Sequence, residues 1–260
     1  MDRWRGKWAL ITGGSSGIGA ELARQLAAGG ANLLLTARRR DRMEALAAGL
    51  REMHGISAEI FVADLAQPNA PAEIFSFTQE KGIAVELLVN NAGFGIYGEF
   101  HKHDLARELE MVQVNVTAVV HLTHLFLPQM IERGSGDILI VSSAAGFQGV
   151  PSLVNYAATK AFALHFAEGL AEEVRSYGVH VCALCPGSTA SEFRQVAGKS
   201  GPGGPQETAE KVARVGLKAV AAGKSCVISG AMNWLAVQSQ RLAPRAMVPR
   251  VAAKLRQLQK

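Results

Sequence analysis

Lys7-Trp-Ala-Leu-Ile-Thr12 leads straight into Gly13-Gly14-Ser15-Ser16-Gly17-Ile18-Gly19, and Ala20-Glu-Leu-Ala-Arg-Gln-Leu-Ala-Ala28 follows with helical spacing. The order is strand, glycine turn, helix. Glycines let a backbone turn tightly and approach a pyrophosphate, whose charge the free N–H groups of a helix start stabilise. The spacing here is Gly-x-x-x-Gly-x-Gly rather than Gly-x-Gly-x-x-Gly, so this stretch alone also fits a generic glycine-rich turn.

Further apolar, β-rich runs continue the pattern. Asn32-Leu-Leu-Leu-Thr-Ala37 reads as a second strand, Ala58-Glu-Ile-Phe-Val-Ala63 as a third ending at Asp64-Leu65, and Ala84-Val-Glu-Leu-Leu-Val89 as a fourth ending at Asn90-Asn91-Ala92-Gly93. Asp137-Ile-Leu-Ile-Val-Ser-Ser143 and Val179-His-Val-Cys-Ala-Leu-Cys185 complete the series, the latter closed by Pro186-Gly187, with a long helix over about 104–131 that contains Asn115. Strands alternating with helices predict an α/β fold, a doubly wound Rossmann-like parallel sheet with ligands at the carboxyl ends of its strands.

The second strand ends in Arg38-Arg39-Arg40, where an NAD-preferring site would place an acid for the ribose diol. Arginine there can pair with a 2′-phosphate and favours NADP(H) over NAD(H); the plain alternative is a solvated basic turn. The fifth strand delivers Ser143 at its carboxyl end, and a helix expected over 151–177, with Pro151 at its start, sets Tyr156 and Lys160 one turn apart on one face. An ammonium near a phenol lowers a pKa that starts near ~10, which would let Tyr156 exchange a proton at neutral pH while Ser143 holds a substrate oxygen. Tyr-x-x-x-Lys in isolation is also a common chance pair; its spacing to the other motifs argues for chemistry.

The 260 residues suit one domain, with 48% hydrophobic content, no run approaching the ~20 apolar residues of a membrane span and no visible signal peptide, so a cytoplasmic location is expected. Three cysteines are too few for a disulfide scaffold, and Cys182 and Cys185 on one strand should face opposite sides, unlike a redox pair. His121 and His124 can share a helix face but have no third ligand spaced with them, and no metal is expected. The net charge of +5 is uneven: residues 211–260 hold ten Lys or Arg and no acid, and residues 1–210 hold 17 basic and 22 acidic side chains.

Taken in order, Thr12-Gly13-Gly-Ser-Ser-Gly17-Ile-Gly19, Asp64-Leu65, Asn90-Asn91-Ala92-Gly93, Asn115, Ser143, Tyr156-x-x-x-Lys160 and Pro186-Gly187 resemble the short-chain dehydrogenase/reductase family over nearly the whole chain up to about residue 230. The resemblance implies about seven parallel strands in the order 3-2-1-4-5-6-7, the last at Ser225–Ser229, in a catalytic domain over 1–230. It also implies a general acid/base at Tyr156, a substrate-oxygen donor at Ser143, a nicotinamide-ribose and pKa-lowering lysine at Lys160, and a relay-supporting asparagine at Asn115. Gly13, Ser15, Ser16, Gly17, Ile18 and Gly19 would line the phosphates, with Arg38, Arg39 and Ser15 toward a 2′-phosphate. Asp64 and Leu65 would meet adenine, Asn91, Ala92 and Gly93 the adenosine side, and Pro186, Gly187 and Thr189 the nicotinamide. The family's common Pro-Gly-x-Val-x-Thr departs here to Pro186-Gly-Ser-Thr189-Ala-Ser191, and Ser16 is not the basic residue some members carry. A homodimer or homotetramer through the helices of Asn115 and Tyr156 is likewise implied.

Phe94, Ile96, Ala145, Phe147, Leu153 and Phe193 are candidates for the substrate wall, which points to a hydrophobic ketone, aldehyde or alcohol of lipid- or steroid-like character. Gly198–Pro205 reads equally as a lid or a surface loop. Residues 231–260 read as a basic amphipathic extension broken by Pro244 and Pro249, with Val248, Val251, Leu255 and Leu258 at helical spacing. It fits an anionic membrane surface, a cap over the pocket or a subunit contact; nucleic acid is disfavoured by the lack of interleaved aromatics. The competing functions are a catalytically silent dinucleotide-binding scaffold or sensor and an epimerase or dehydratase using the same residues.

Overall fold

The computed structural model describes residues 2–198 and 206–257. Seven parallel strands form the main sheet: β1 (Trp8–Thr12), β2 (Asn32–Ala37), β3 (Ala58–Val62), β4 (Val85–Asn90), β5 (Gly136–Val141), β6 (Val179–Cys185) and, after two short strands, Cys226–Ile228. The short strands β7 (Thr189–Ala190) and β8 (Glu207–Thr208) pair beside it, which makes Cys226–Ile228 β9. The sheet order is β3-β2-β1-β4-β5-β6-β9, the expected doubly wound arrangement.

Alternation along each strand explains the two cores. Leu10, Leu34, Leu88, Ile138 and Ala183 face α3 (Ala70–Glu80), α5 (Ala118–Arg133) and α6 (Val154–Val174), where Ile74, Phe126 and Leu164 pack on them. Their neighbours Ile11, Leu35, Val89, Leu139 and Leu184 face the other way, onto α1 (Gly17–Ala28), α2 (Arg40–His54) and α8 (Ala209–Ala221). Both faces of β4 and β5 are buried, which is why residues 87–89 and 138–141 read as apolar runs, with the polar Glu86, Asn90 and Asp137 toward the strand ends. Cys182 and Cys185 fall on opposite faces, as their spacing requires. At the end of the sheet away from the glycine turn, buried Asp137 accepts from Arg3 Nε at 2.8 Å and Trp4 Nε1 at 2.7 Å.

Three local features differ from the sequence reading. The long helix is α4 (Leu105–Val112) joined to α5 through a π-helical turn, Gln113–Thr117, that holds Asn115. The joined rod Leu105–Arg133 is long and apolar enough to cross a membrane, although no uninterrupted apolar run exists in it. Its inward face, including Leu122, Phe126 and Met130, is a wall of the core. Helix α6 begins at Val154 rather than Pro151, because Ser152 adopts a φ of +62° that cannot continue into a helix. The tail forms α9 (Ala231–Gln240) and α10 (Met247–Gln257), with α7 (Phe193–Val196) preceding them in the chain. Pro244 lies in the break between them, whereas Pro249 is the third residue of α10, in the first turn where proline is tolerated. Apart from Gly198, the stretch considered as a lid lies outside the described residues, as do Leu258 and Lys260.

Candidate active site

The carboxyl ends of β1, β2, β4, β5 and β6 open into one cleft of about 740 Å³. At its glycine end, Gly13 takes a φ of +66° and its N–H donates to the Thr36 carbonyl at 2.8 Å. A Cβ on Gly19 would stand 2.3 Å from the Gly13 carbonyl oxygen and 2.6 Å from Asn91 Nδ2, so only glycine lets the turn close. Asn91 Nδ2 donates to the Thr12 carbonyl at 2.8 Å, and Thr12 Oγ1 accepts from the Asn91 and Ala92 N–H groups at 2.9 and 3.0 Å. These bonds fix the β4 end against the turn. Ser16, at the start of α1, makes no capping bond with its side chain, so the first N–H groups of that helix remain available to an anion. A cradle of this shape fits a dinucleotide pyrophosphate, and Asp64, Leu65, Gly93, Pro186, Gly187 and Thr189 line the same cleft.

The chemistry end is built from β5 and α6. Ser143 follows β5; its Oγ accepts from the Ala145 N–H at 3.1 Å. Ser142 Oγ donates to the Lys160 carbonyl at 2.7 Å and ties the strand end to α6. Burial pushes the Tyr156 phenol up to about 12, and the hydrogen bond with the Ser143 side chain acts in the opposite direction. Lys160 is pushed down to about 8 by its own burial, and its Nζ donates to the Val141 carbonyl at 2.8 Å. The expected lowering of the phenol by this ammonium is therefore corrected: Nζ sits 5.8 Å from the Tyr156 ring centroid, and desolvation decides the direction.

Asn115 is buried in the π-turn, where its Oδ1 accepts from the Phe94 N–H at 3.1 Å and its Nδ2 donates to Thr159 Oγ1 at 3.0 Å. Thr159 Oγ1 in turn donates to the Tyr156 carbonyl at 2.8 Å. Asn115 thus joins the loop after β4 to the first turns of α6. A Cβ on Gly93 would lie 2.9 Å from Asn115 Oδ1 and 3.2 Å from Lys160 Nζ, so the loop passes close above both.

The arginine cluster divides differently from expectation. Arg38 lines the cleft, exposed, and has no hydrogen bond or ion pair among the described residues. Arg39 turns onto the glycine turn, with Nη2 donating to Ser16 Oγ at 2.7 Å and Ser15 Oγ at 3.2 Å. Its Nη1 meets Glu192 Oε2 at 2.7 Å, and Arg42 Nη1 meets Glu192 Oε1 at 2.6 Å. The two guanidiniums hold the Glu192 carboxyl at about 2, well below the usual carboxylate range.

Phe94, Ile96, Ala145, Leu153 and Phe193 gather around Tyr156 as anticipated, whereas Phe147 packs into the core under α6. The Phe193 ring lies 5.2 Å from the Tyr156 ring, centroid to centroid. Sequence reading missed Tyr97 and Val150 on this wall, and Asn233, Val237 and Ala252 from the tail. Helix α9 is seated by Asn233, whose Nδ2 donates to the Ser229 carbonyl at 2.7 Å and whose side chain fills the space a Cβ on Gly187 would occupy.

A doubly wound parallel sheet with a glycine cradle and a serine, tyrosine and lysine at adjoining strand and helix ends defines an oxidoreductase of carbonyl and alcohol groups. The profile described as "short chain dehydrogenase" matches residues 7–200. The chain is 32% identical over 238 residues to the very-long-chain 3-oxoacyl-CoA reductase of Anas platyrhynchos, covering 88% of this chain and 75% of that one. It spans 60 to 62% of the length of the Danio rerio and Bos taurus relatives. Among solved structures, it is similar to a short-chain dehydrogenase from Sphingobium yanoikuyae in complex with NADPH, with a TM-score of 0.83, 31% identity, and coverage of 91% of this chain and 94% of the other. It is also similar to the bulky-bulky ketone specific alcohol dehydrogenase from Comamonas testosteroni, with a TM-score of 0.78, 30% identity, and coverage of 91% and 92%. The chain belongs to the short-chain dehydrogenase/reductase family.

Proposed function

We propose that this protein reduces a bulky hydrophobic ketone with NADPH, a long 3-oxoacyl thioester being the first candidate. The observation that carries this reading is the joining, in one cleft, of a glycine and arginine end to an apolar end with Ser143 and Tyr156 between them. The names of the duck relative and of the Comamonas neighbour, a fatty oxoacyl thioester and a ketone flanked by two large groups, agree with the apolar wall. In this scheme the reduced nicotinamide supplies a hydride to the carbonyl carbon. Ser143 Oγ and Tyr156 Oη hold the carbonyl oxygen, and Tyr156 transfers its proton to that oxygen as charge develops. A phenol with a pKa of about 12 is protonated at neutral pH, which is the form that reduction requires. Lys160 keeps a cation near the ribose side of the cleft, and Asn115 holds the Phe94 loop and α6 in register so that the substrate carbonyl lands within reach.

The test is oxidation of NADPH and of NADH, each with medium- and long-chain 3-oxoacyl thioesters, bulky aryl ketones and a polar ketose. Turnover is expected with NADPH and with the first two groups. Equal use of the ketose, or a preference for NADH, sinks this reading.

Two further properties belong to the same proposal. Met232, Trp234, Leu235, Leu242, Met247 and Val251 are exposed on and between α9 and α10, among Arg241, Arg245, Arg250 and Lys254. Apolar anchors interleaved with cations suit the surface of an anionic bilayer, so the protein, cytoplasmic in this reading, would work at a membrane periphery where lipid-like substrates partition. Sedimentation with phosphatidylserine-containing vesicles is the check: binding that falls when Trp234 and Leu235 are replaced by Asp is expected, and equal binding to neutral vesicles speaks against it. Exposed Leu105, Leu109, Val154 and Phe162 on α4 and α6 support self-association as a homodimer or homotetramer through these helices.

A further inference from the structure

We infer that Glu192 is a built-in competitor for the 2′-phosphate of the dinucleotide, and that it sets how strongly the protein discriminates NADPH from NADH. The inference rests on the NADP(H) reading proposed above and concerns a residue far from the arginine cluster in sequence.

Four observations carry it. Glu192 bridges Arg39 and Arg42 with one carboxylate oxygen on each, at 2.7 and 2.6 Å, although it is separated from Arg39 by 153 residues. Two guanidiniums converging on separate oxygens of one anion is the arrangement a phosphate ester also takes. The same Arg39 reaches the hydroxyls of Ser15 and Ser16 in the glycine turn, so its guanidinium lies where the adenosine-side phosphate of a bound dinucleotide would be read. Ser15, Ser16, Arg39 and Glu192 all line the cleft. The segment before Glu192 also closes on the turn: a Cβ on Gly17 would meet Ser191 Cβ at 3.2 Å.

A carboxylate and a 2′-phosphate cannot share these two guanidiniums without repulsion, so NADPH must displace Glu192 or bind against its charge, whereas NADH, with a ribose hydroxyl at that place, meets no such conflict. Glu192 therefore lowers NADPH affinity selectively, and Arg39 is the group for which the two anions compete. The next residue, Phe193, packs on Tyr156, so the same ion pair joins phosphate recognition to the wall of the substrate end.

The test is direct binding by calorimetry, with adenosine 2′,5′-bisphosphate and adenosine 5′-monophosphate as probes, followed by NADPH and NADH, on wild type, Glu192→Gln and Arg39→Gln. Glu192→Gln is expected to tighten the bisphosphate and NADPH roughly three- to ten-fold, the weight of two partly exposed ion pairs, and to leave the monophosphate and NADH within about two-fold. Arg39→Gln should weaken the bisphosphate and NADPH alone, by about ten-fold. An unchanged or weakened bisphosphate affinity in Glu192→Gln, or an equal gain for both probes, overturns the inference while wild-type preference for the bisphosphate leaves the NADP(H) reading standing. If wild type does not distinguish the two probes, that reading fails and the inference fails with it. Glu192→Asp, which keeps the charge, is expected to behave as wild type; a gain equal to that of the Gln variant would also refute the competition.

Discussion

Tyr156→Phe is expected to abolish turnover while leaving dinucleotide binding intact. The substitution removes one oxygen from a ring that Phe193 and the surrounding apolar cluster hold in place, so packing is retained. Only the proton donor and its bond with Ser143 are lost. General acid catalysis by a positioned group contributes typically ~10²–10⁴-fold, and a loss of that size in kcat is the expected result. Steady-state kinetics with the best ketone of the panel, beside NADPH titration by fluorescence quenching, separates the two effects. A variant retaining more than about a tenth of wild-type turnover, a loss smaller than removal of a general acid produces, would mean that another group delivers the proton. A variant inactive only because NADPH no longer binds would assign Tyr156 to the cofactor cradle instead. Both outcomes also bear on the scaffold reading, because a protein that merely binds dinucleotide has no turnover to lose.

Gly19→Val should severely weaken dinucleotide binding. A Cβ at this position already falls 2.3 Å from the Gly13 carbonyl, and the two methyls of valine crowd the turn further. Backbone cannot yield as the end of a flexible side chain does, so the turn must open. Opening it takes Gly13 away from Thr36 and breaks the anchor between Asn91 and the Thr12 and Gly13 carbonyls. Affinity for NADPH is expected to fall by at least roughly a hundred-fold, a cost of about 2.7 kcal/mol or more. The sheet itself is held by the two cores, so thermal unfolding should remain cooperative with a lowered midpoint. Binding within a few-fold of wild type would show that the pyrophosphate does not depend on this closure.

Much of the architecture was legible because buried parallel strands leave a trace: residues 138–141 and 87–89 are packed on both faces, so consecutive side chains there are apolar. Ser143, Tyr156 and Lys160 were legible for a different reason, since strand end and helical spacing place them without any knowledge of distant contacts. What escaped depends on long-range placement. Arg38 and Arg39 are adjacent at a strand end and their side chains diverge, so composition could not decide which one turns to Ser15 and Ser16. Glu192 meets that arginine only because the loop after β6 returns over the glycine turn. Asn233, Val237 and Ala252 enter the cleft from a tail for which a cap over the pocket was one of three readings, but nothing in its spacing indicated which residues would line the cleft or that one would seat against Gly187. The direction of the Tyr156 shift was misjudged because local spacing places an amine nearby but says nothing of how dry the surroundings are.

The wide turn at Gln113–Thr117 has its own consequence. A regular helix presents a fixed phase, so a residue chosen for one neighbour dictates what every later turn can offer. Inserting a π-turn resets that phase, and the rod from Leu105 to Arg133 thereby serves two unrelated clients. Its first half supplies Met111 to the cluster under Tyr156, and its second half supplies Leu122, Phe126 and Met130 to the sheet. Asn115 sits at the change of phase. Evolution of the substrate wall on one side and of core packing on the other can then proceed without each mutation having to satisfy both.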